Sequence, residues 1–272
     1  MDRSGPHTAV SADGTEIGWW TSGEGPPLLL VHGSLGDHTR WDVLRPHLEP
    51  HFEVHAMDRR GRGASGDADA YAIQHETEDI VAVVDAIADS SGAPVGVYCS
   101  SYGGLCAFGA PALTASIGRL ALYEAWPPVN TDAHEPPDGV VDEMNRLIEA
   151  GDPDTALQVC YRTFVGLDDD ELDEVRSQPS WPARVAAAHT IPREVAAFPQ
   201  FGFDPEVAAT IDVPTLLLIG SDSPAWGPEA ETVAAAIPDA CVEVLDGQGH
   251  VADLFAPELV SDALVPFFST GS

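Results

Sequence analysis

The sequence predicts an α/β fold: a mostly parallel sheet flanked by helices on both faces, interrupted by a helical insertion. Three observations predict it. Continuous apolar runs such as Pro27 to His32 (PLLLVH) and Pro214 to Gly220 (PTLLLIG) mark strands buried on both faces. These runs alternate with stretches of helical periodicity, the rhythm of parallel crossovers. Between Trp126 and Glu206 the strand rhythm stops, acid-rich helical patterns take over, and strands then resume.

Taken in order, Glu16 to Thr21 (EIGWWT) reads as a strand after the Asp13-Gly14 turn, followed by the strands Pro27 to His32 and Phe52 to Met57 (FEVHAM). Ile80, Val84, Ile87 and Ala88 share a helical face. Pro94 to Ser100 (PVGVYCS) is a strand with a helix after it, and Arg119 to Glu124 (RLALYE) is the next strand. In the insertion, Leu157, Cys160, Tyr161 and Phe164 fall on one helical face, as do Met144, Leu147 and Ile148. The strand at 214–220 leads to a helix near 228–236, the strand Cys241 to Leu245 (CVEVL) and a last helix ending at Phe268. The chain thus divides into a core at 1–125 and 207–272 and an insertion at 126–206. An insertion between core strands sits over the C-terminal edge of the sheet, where open α/β sheets place ligands, so a lid is expected.

Composition narrows the function. With 44% hydrophobic and 21% charged residues, the 272-residue chain has the makings of a folded core. Its charge is extreme: 12 basic against 44 acidic residues, a formal −32, and every basic residue is Arg. Small domains are comfortable at a net charge of about 2–8 in magnitude. Self-repulsion at this level favours unfolding in dilute buffer and is screened by salt, so a halophilic, high-salt cytoplasm is the expected setting, with a merely acidic surface from a lineage that uses Arg instead of Lys as the alternative. Phosphates would be repelled, which excludes nucleic acid and anionic membranes as partners. Cys99, Cys106, Cys160 and Cys241 form no CxxC pair, and no HExxH occurs, so neither a disulfide scaffold nor a metal or other cofactor is expected. The first residues lead into no apolar signal-like stretch, and no apolar run approaches the roughly 18 residues of a membrane span. A soluble cytoplasmic protein is the expectation, and its oligomeric state is open.

The chemistry concentrates at Cys99-Ser100-Ser101-Tyr102-Gly103-Gly104, between an apolar strand and a helix. A nucleophile on a sharp strand-to-helix turn needs small residues two before and two after it, because the backbone passes too close for larger ones. Around Ser101 those positions are Cys99 and Gly103; around Ser100 they are Tyr98 and Tyr102, which do not fit. Ser101 is therefore the expected nucleophile. A tetrahedral intermediate needs backbone N–H donors at its oxyanion. Tyr102, just past the nucleophile, offers one, and Ser34, in His32-Gly33-Ser34-Leu35-Gly36, offers the other. A serine hydroxyl is a weak nucleophile without a base. His250, on Gly247-Gln248-Gly249-His250 after the last strand, can reach it. The base needs a carboxylate. Asp222 in Gly220-Ser221-Asp222 fits by chain order, and Glu124, at the end of the strand after the nucleophile helix, is the alternative.

These segments together, with DRRGRGASG at 58–66, resemble the α/β-hydrolase family over essentially the whole chain. The resemblance implies an eight-stranded sheet, a helical cap and a Ser-His-acid triad. Two departures stand out. The Gly-His usual before the nucleophile is Cys99-Ser100, and the slot where many relatives carry the acid holds Ser223, with Asp222 one position earlier. Family members that are dehalogenases, and most epoxide hydrolases, use an Asp nucleophile, against which Ser101 speaks. The expected function is hydrolysis of a small carboxylic ester, lactone or thioester. A Ser-triad carbon–carbon bond hydrolase, a cofactor-free perhydrolase and a weakly catalytic small-molecule binder are the alternatives. Trp126, Phe164, Trp181, Phe198, Phe201 and Phe203 are candidate pocket walls, about half of which are expected to be insertion core. His134 and His189 are read as structural.

Overall fold

The computed structural model describes residues 5–131, 135–223 and 226–270; His134 lies outside them. Eight strands form one sheet: β1 (His7–Val10), β2 (Glu16–Gly23), β3 (Pro27–Val31), β4 (Glu53–Met57), β5 (Val95–Ser100), β6 (Ile117–Tyr123), β7 (Thr215–Gly220) and β8 (Ala240–Leu245). Their spatial order is β1-β2-β4-β3-β5-β6-β7-β8. The β1–β2 and β2–β4 pairs are antiparallel and the rest parallel. Seven of these strands are legible in the sequence. β1 is not, because it is short, mostly exposed and paired only with β2.

The apolar runs become central strands because both faces of the sheet are covered. Along β3 every residue is buried, and so is every residue of β7. The period of two sorts them. Leu29, Val31, Val97, Cys99, Leu217 and Ile219 point into one core, while Leu28, Leu30, Tyr98, Leu216 and Leu218 point into the other. The short helix α1 (Arg45–Leu48) places Leu48 in the second core. The long helix α2 (Ile73–Ser91) turns Ile73, Ile80, Val83, Val84 and Ile87 onto the first. It stops at Gly92, whose φ of 69° permits the left-handed turn in which its N–H reaches Ala88 O. Helix α3 (Tyr102–Ala107) follows β5 directly.

Between β6 and β7 the chain builds α4 (Val140–Glu149), α5 (Pro153–Cys160), a π-type turn at Tyr161–Val165, α6 (Asp169–Ser177), α7 (Trp181–Ala186), α8 (Ile191–Ala197) and α9 (Pro205–Ala208). The two helical faces read from the sequence meet here. Met144, Leu157, Cys160 and Tyr161 form a separate core with Leu172, Val175, Trp181 and Ile191, and this core closes against Val251 and Leu254 of the main domain. The capping box of α6 uses Asp168 and Glu171, so two of the many acids in this region serve a local purpose. After β7 come α10 (Gly227–Ala236) and, beyond β8, α11 (Ala252–Phe255) and α12 (Pro257–Ser269). Among the described residues no helix is long and apolar enough to cross a membrane.

Candidate active site

Ser101 occupies the single residue between β5 and α3, with φ 54° and ψ −131°. A non-glycine residue rarely holds such a φ, and the surroundings enforce it. A Cβ on Gly103 would lie 2.6 Å from the carbonyl oxygens of Val31 and His32, and one on Gly104 would lie 1.9 Å from Ala125 O. The turn is therefore wedged between the end of β3 and the chain leaving β6. The small-residue rule that selected Ser101 over Ser100 has this cause; Cys99 on the other flank is fully buried in β5. Gly33 is constrained in the same way, since its Cβ would sit 2.9 Å from Ser101 Cβ.

His250 Nε2 lies 3.0 Å from Ser101 Oγ. Its Nδ1 lies 2.6 Å from Glu124 Oε2. Glu124 follows β6 with φ 45° and is fully buried. Its other oxygen accepts the Gly220 N–H at 2.9 Å, so both carboxylate oxygens are committed. Trp226 stacks flat on the imidazole, ring centroids 5.9 Å apart, and Tyr123 donates its hydroxyl to Gly249 O, fixing the loop that carries the histidine.

Asp222 is not the carboxylate at His250. Its backbone N–H bonds Gln248 O, yet its side chain is exposed and accepts from Ser221 Oγ at 3.2 Å. The reason is the close passage of β7 under the histidine loop: a Cβ on Gly220 would meet Gln248 O at 2.1 Å. That contact leaves the histidine's inner side to Glu124, which arrives from the adjacent strand. The sequence held the signal in two forms: Glu124 ends an apolar strand, and Ser223 stands where an acid is usual.

Ser34 and Tyr102 both line the cavity that opens at Ser101. Its volume is about 330 Å³, and Leu35, Tyr161, Phe164, Val195, Phe198 and Trp226 supply apolar wall. Phe164 is thus a wall, as read from the sequence, and so is Phe198. Trp126 and Trp181 are not. Trp126 is fully buried and packs edge-on against Trp226. Trp181 stacks on Tyr161 in the insertion core, its indole N–H donating to Asp154. Large aromatics in an insertion are needed first to build its own core. Phe201 and Phe203 pack against the main core, and the exposed His189 bonds Ala186 O.

A buried charge cluster under the cavity escaped the sequence reading, although DRRGRGASG contains its cations. Arg59 is held by both oxygens of Glu76, at 2.7 and 2.5 Å, and its guanidinium lies 5.0 Å from the Tyr102 ring centroid. Arg59 and Arg62 both donate to Glu194 Oε1 from α8, at 2.6 and 2.5 Å. All four side chains are buried. His32 stays neutral beside them: burial, then the Arg59 and Arg62 charges, hold its pKa well below the usual range. Among the described residues one group, Asp37, His38 and Asp58, brings potential metal ligands together. Its atoms already serve the fold. Asp58 accepts from His38, Trp20 and Ala64, and Asp37 caps the turn at Thr39.

Comparison with known proteins agrees with the fold. The model of the "Alpha/beta hydrolase family" matches residues 28–263. A solved alpha/beta hydrolase from Sphaerobacter thermophilus is 35% identical, covers 97% of this chain and 100% of its own, and superposes with a TM-score of 0.81. The non-heme chloroperoxidase of Kitasatospora aureofaciens is 27% identical over 254 residues, 89% of this chain and 90% of that protein. An enol-lactonase from Burkholderia xenovorans, 22% identical over 97% of this chain and 100% of its own with a TM-score of 0.76, shares the fold.

Proposed function

Since the chain belongs to the alpha/beta hydrolase family, we propose that it is a serine hydrolase that cleaves a small carboxylic ester through an acyl-enzyme, with Ser101, His250 and Glu124 as its triad. The observation that carries this reading is the continuous chain Ser101 Oγ–His250 Nε2 and His250 Nδ1–Glu124 Oε2, at 3.0 and 2.6 Å, ending on a buried carboxylate. Oγ attacks the ester carbonyl while its proton passes to Nε2. Glu124 holds the Nδ1–H tautomer and stabilises the imidazolium. The N–H groups of Ser34 and Tyr102 receive the oxyanion. The intermediate collapses as Nε2 protonates the departing alcohol oxygen, leaving the acyl group on Oγ. Water, deprotonated by the same histidine, then releases the acid.

The cavity is at the small end of ligand pockets, about 300–1,000 Å³, and its walls are more apolar than polar, which favours short or aromatic esters. The insertion acts as the cap, and Cys160 at the end of α5, the turn at Tyr161–Val165, and Val195 of α8 wall the cavity from its side. A fluorophosphonate probe is expected to label Ser101, and Ser101→Ala to lose the label. In the variant kcat falls by several decades, to roughly the 10³–10⁴-fold over water that binding and the oxyanion donors retain. Across a series of p-nitrophenyl esters, kcat/KM declines as the acyl chain outgrows the cavity. Labelling at Ser100, or near-full activity of Ser101→Ala, refutes the assignment.

A second reading draws on the 27% identical chloroperoxidase relative. Hydrogen peroxide in place of water attacks the same acyl-enzyme, giving a peracid and free Ser101. Peracid production from a short acid and peroxide, lost in Ser101→Ala, measures this activity beside hydrolysis.

A further inference from the structure

We propose that Glu194, carried on the cap helix α8, is a positioning residue for the turn that presents the Ser34 N–H to the oxyanion. The proposal rests on the serine-hydrolase reading and adds a residue to it. The Ser34 N–H belongs to the Gly33–Ser34 peptide unit, and that unit is held along with the units on either side. The carbonyl before it, His32 O, accepts from Arg59 Nη1 at 3.4 Å. Its own carbonyl, Gly33 O, lies 2.7 Å from His32 Nδ1. The carbonyl after it, Ser34 O, accepts from Arg62 Nη2 at 3.3 Å. The His32 ring is fixed too: a carbonyl only accepts, so Nδ1 carries the proton, and Nε2 accepts the Arg59 backbone N–H at 3.2 Å.

Both guanidinium groups meet at one atom, Glu194 Oε1. Glu76 restrains Arg59 from the other side, but Glu194 is the carboxylate that joins Arg59 to Arg62. A pair shaped for stability alone would use both carboxylate oxygens in a bidentate contact. Here Oε2 is buried without a hydrogen-bond partner while Oε1 bridges. Two guanidinium groups and two carboxylates balance in charge, so the cluster holds a geometry without leaving a net charge in the interior. Glu194 comes from the cap and the arginines from the core, so the oxyanion turn is set only when α8 is docked.

The test uses Glu194→Gln and the double variant Glu194→Gln/Arg62→Gln. Each is assayed for ester turnover, for melting temperature, and for binding of two probes. A trifluoromethyl ketone accepts Ser101 Oγ at its carbonyl carbon, passes the serine proton to His250 and places an oxyanion at the turn. The corresponding trifluoromethyl alcohol forms no such bond. Removing an oxyanion donor outright costs about 10²–10³ in kcat. Misplacing it is expected to lower kcat and ketone affinity together by about 10- to 100-fold in Glu194→Gln. KM and alcohol affinity stay within about twofold of wild type. The double variant, with its buried charges balanced again, regains melting temperature but not kcat, because Ser34 O still lacks its donor. Wild-type ketone affinity in Glu194→Gln overturns the proposal. So does a double variant that regains kcat along with stability, which is the mark of a merely structural role, or a rise in KM and loss of alcohol affinity at unchanged kcat, which marks a substrate contact. If Glu194→Gln does not fold, the double variant decides by the same criterion. Wild-type protein that neither hydrolyses esters nor binds the ketone overturns the hydrolase reading and this proposal with it.

Discussion

Replacing Glu124 by Gln changes almost no volume, yet it removes one of two acceptors that the site needs at once. Glu124 Oε1 takes the Gly220 N–H at 2.9 Å, and Oε2 faces His250 Nδ1 at 2.6 Å. An amide has only one accepting oxygen. If that oxygen stays on Gly220, the NH₂ group turns to His250 and Nδ1 must become the acceptor. The ring proton then moves to Nε2, where it blocks transfer from Ser101. If the amide flips, the buried Gly220 N–H faces a donor. The first outcome preserves the fold and spoils the base, and it is the one we expect. Loss of the triad carboxylate through the wrong tautomer costs about 10⁴-fold in kcat, or about 5.5 kcal/mol of barrier. Asp222→Asn, at an exposed side chain that accepts from Ser221 Oγ, should stay within about twofold. The assay is kcat for a p-nitrophenyl ester, with melting temperature measured alongside. A loss under tenfold in Glu124→Gln, or a larger loss in Asp222→Asn, refutes the assignment of Glu124.

Two further outcomes follow from charge. His32 is buried with a pKa held well below that of the unfolded chain, near 6.5, by burial and by Arg59 and Arg62. Below about pH 6.5 the unfolded state therefore binds a proton that the folded state refuses: its share of stability is complete above that pH and declines on acidification, by at most about 1.4 kcal/mol per pH unit. Urea unfolding between about pH 5 and 8 measures the slope, and His32→Asn is expected to flatten it; an unchanged slope excludes His32 as its source. The −32 charge predicts a melting temperature that climbs from about 0.05 M to about 2 M KCl as the Debye length contracts. A variant with a dozen surface acids changed to Asn or Gln should climb less, and equal responses would exclude screening as the cause.

The fold was legible wherever burial imposes a pattern. PLLLV and TLLLIG announce themselves because both faces of β3 and β7 are covered, whereas β1, exposed and paired on one side only, leaves no such trace. Ser101 was legible because steric crowding at an elbow restricts its neighbours to small residues. Glu124 could be named only as an alternative, since chain order does not reveal which strand end lies beneath the histidine. The Arg59–Glu194–Arg62 cluster was invisible for a similar reason. Its carboxylate stands more than a hundred positions from its cations, and charges on a short helix of the insertion read as solvent-facing until the docking is known.

The crowding of Gly104 against Ala125 has a mechanical corollary. The chain enters the insertion directly after the residue that holds His250, an arrangement in which a displacement of the insertion would pull on the base. Ala125 is pinned beneath the nucleophile helix, with room for no side chain on Gly104, and Trp126 behind it is sealed from solvent. Any pivot for the insertion therefore lies past Trp126. The anchorage works as a strain relief: a displacement of the insertion beyond Trp126 reaches Glu124 only through a segment that is packed solid.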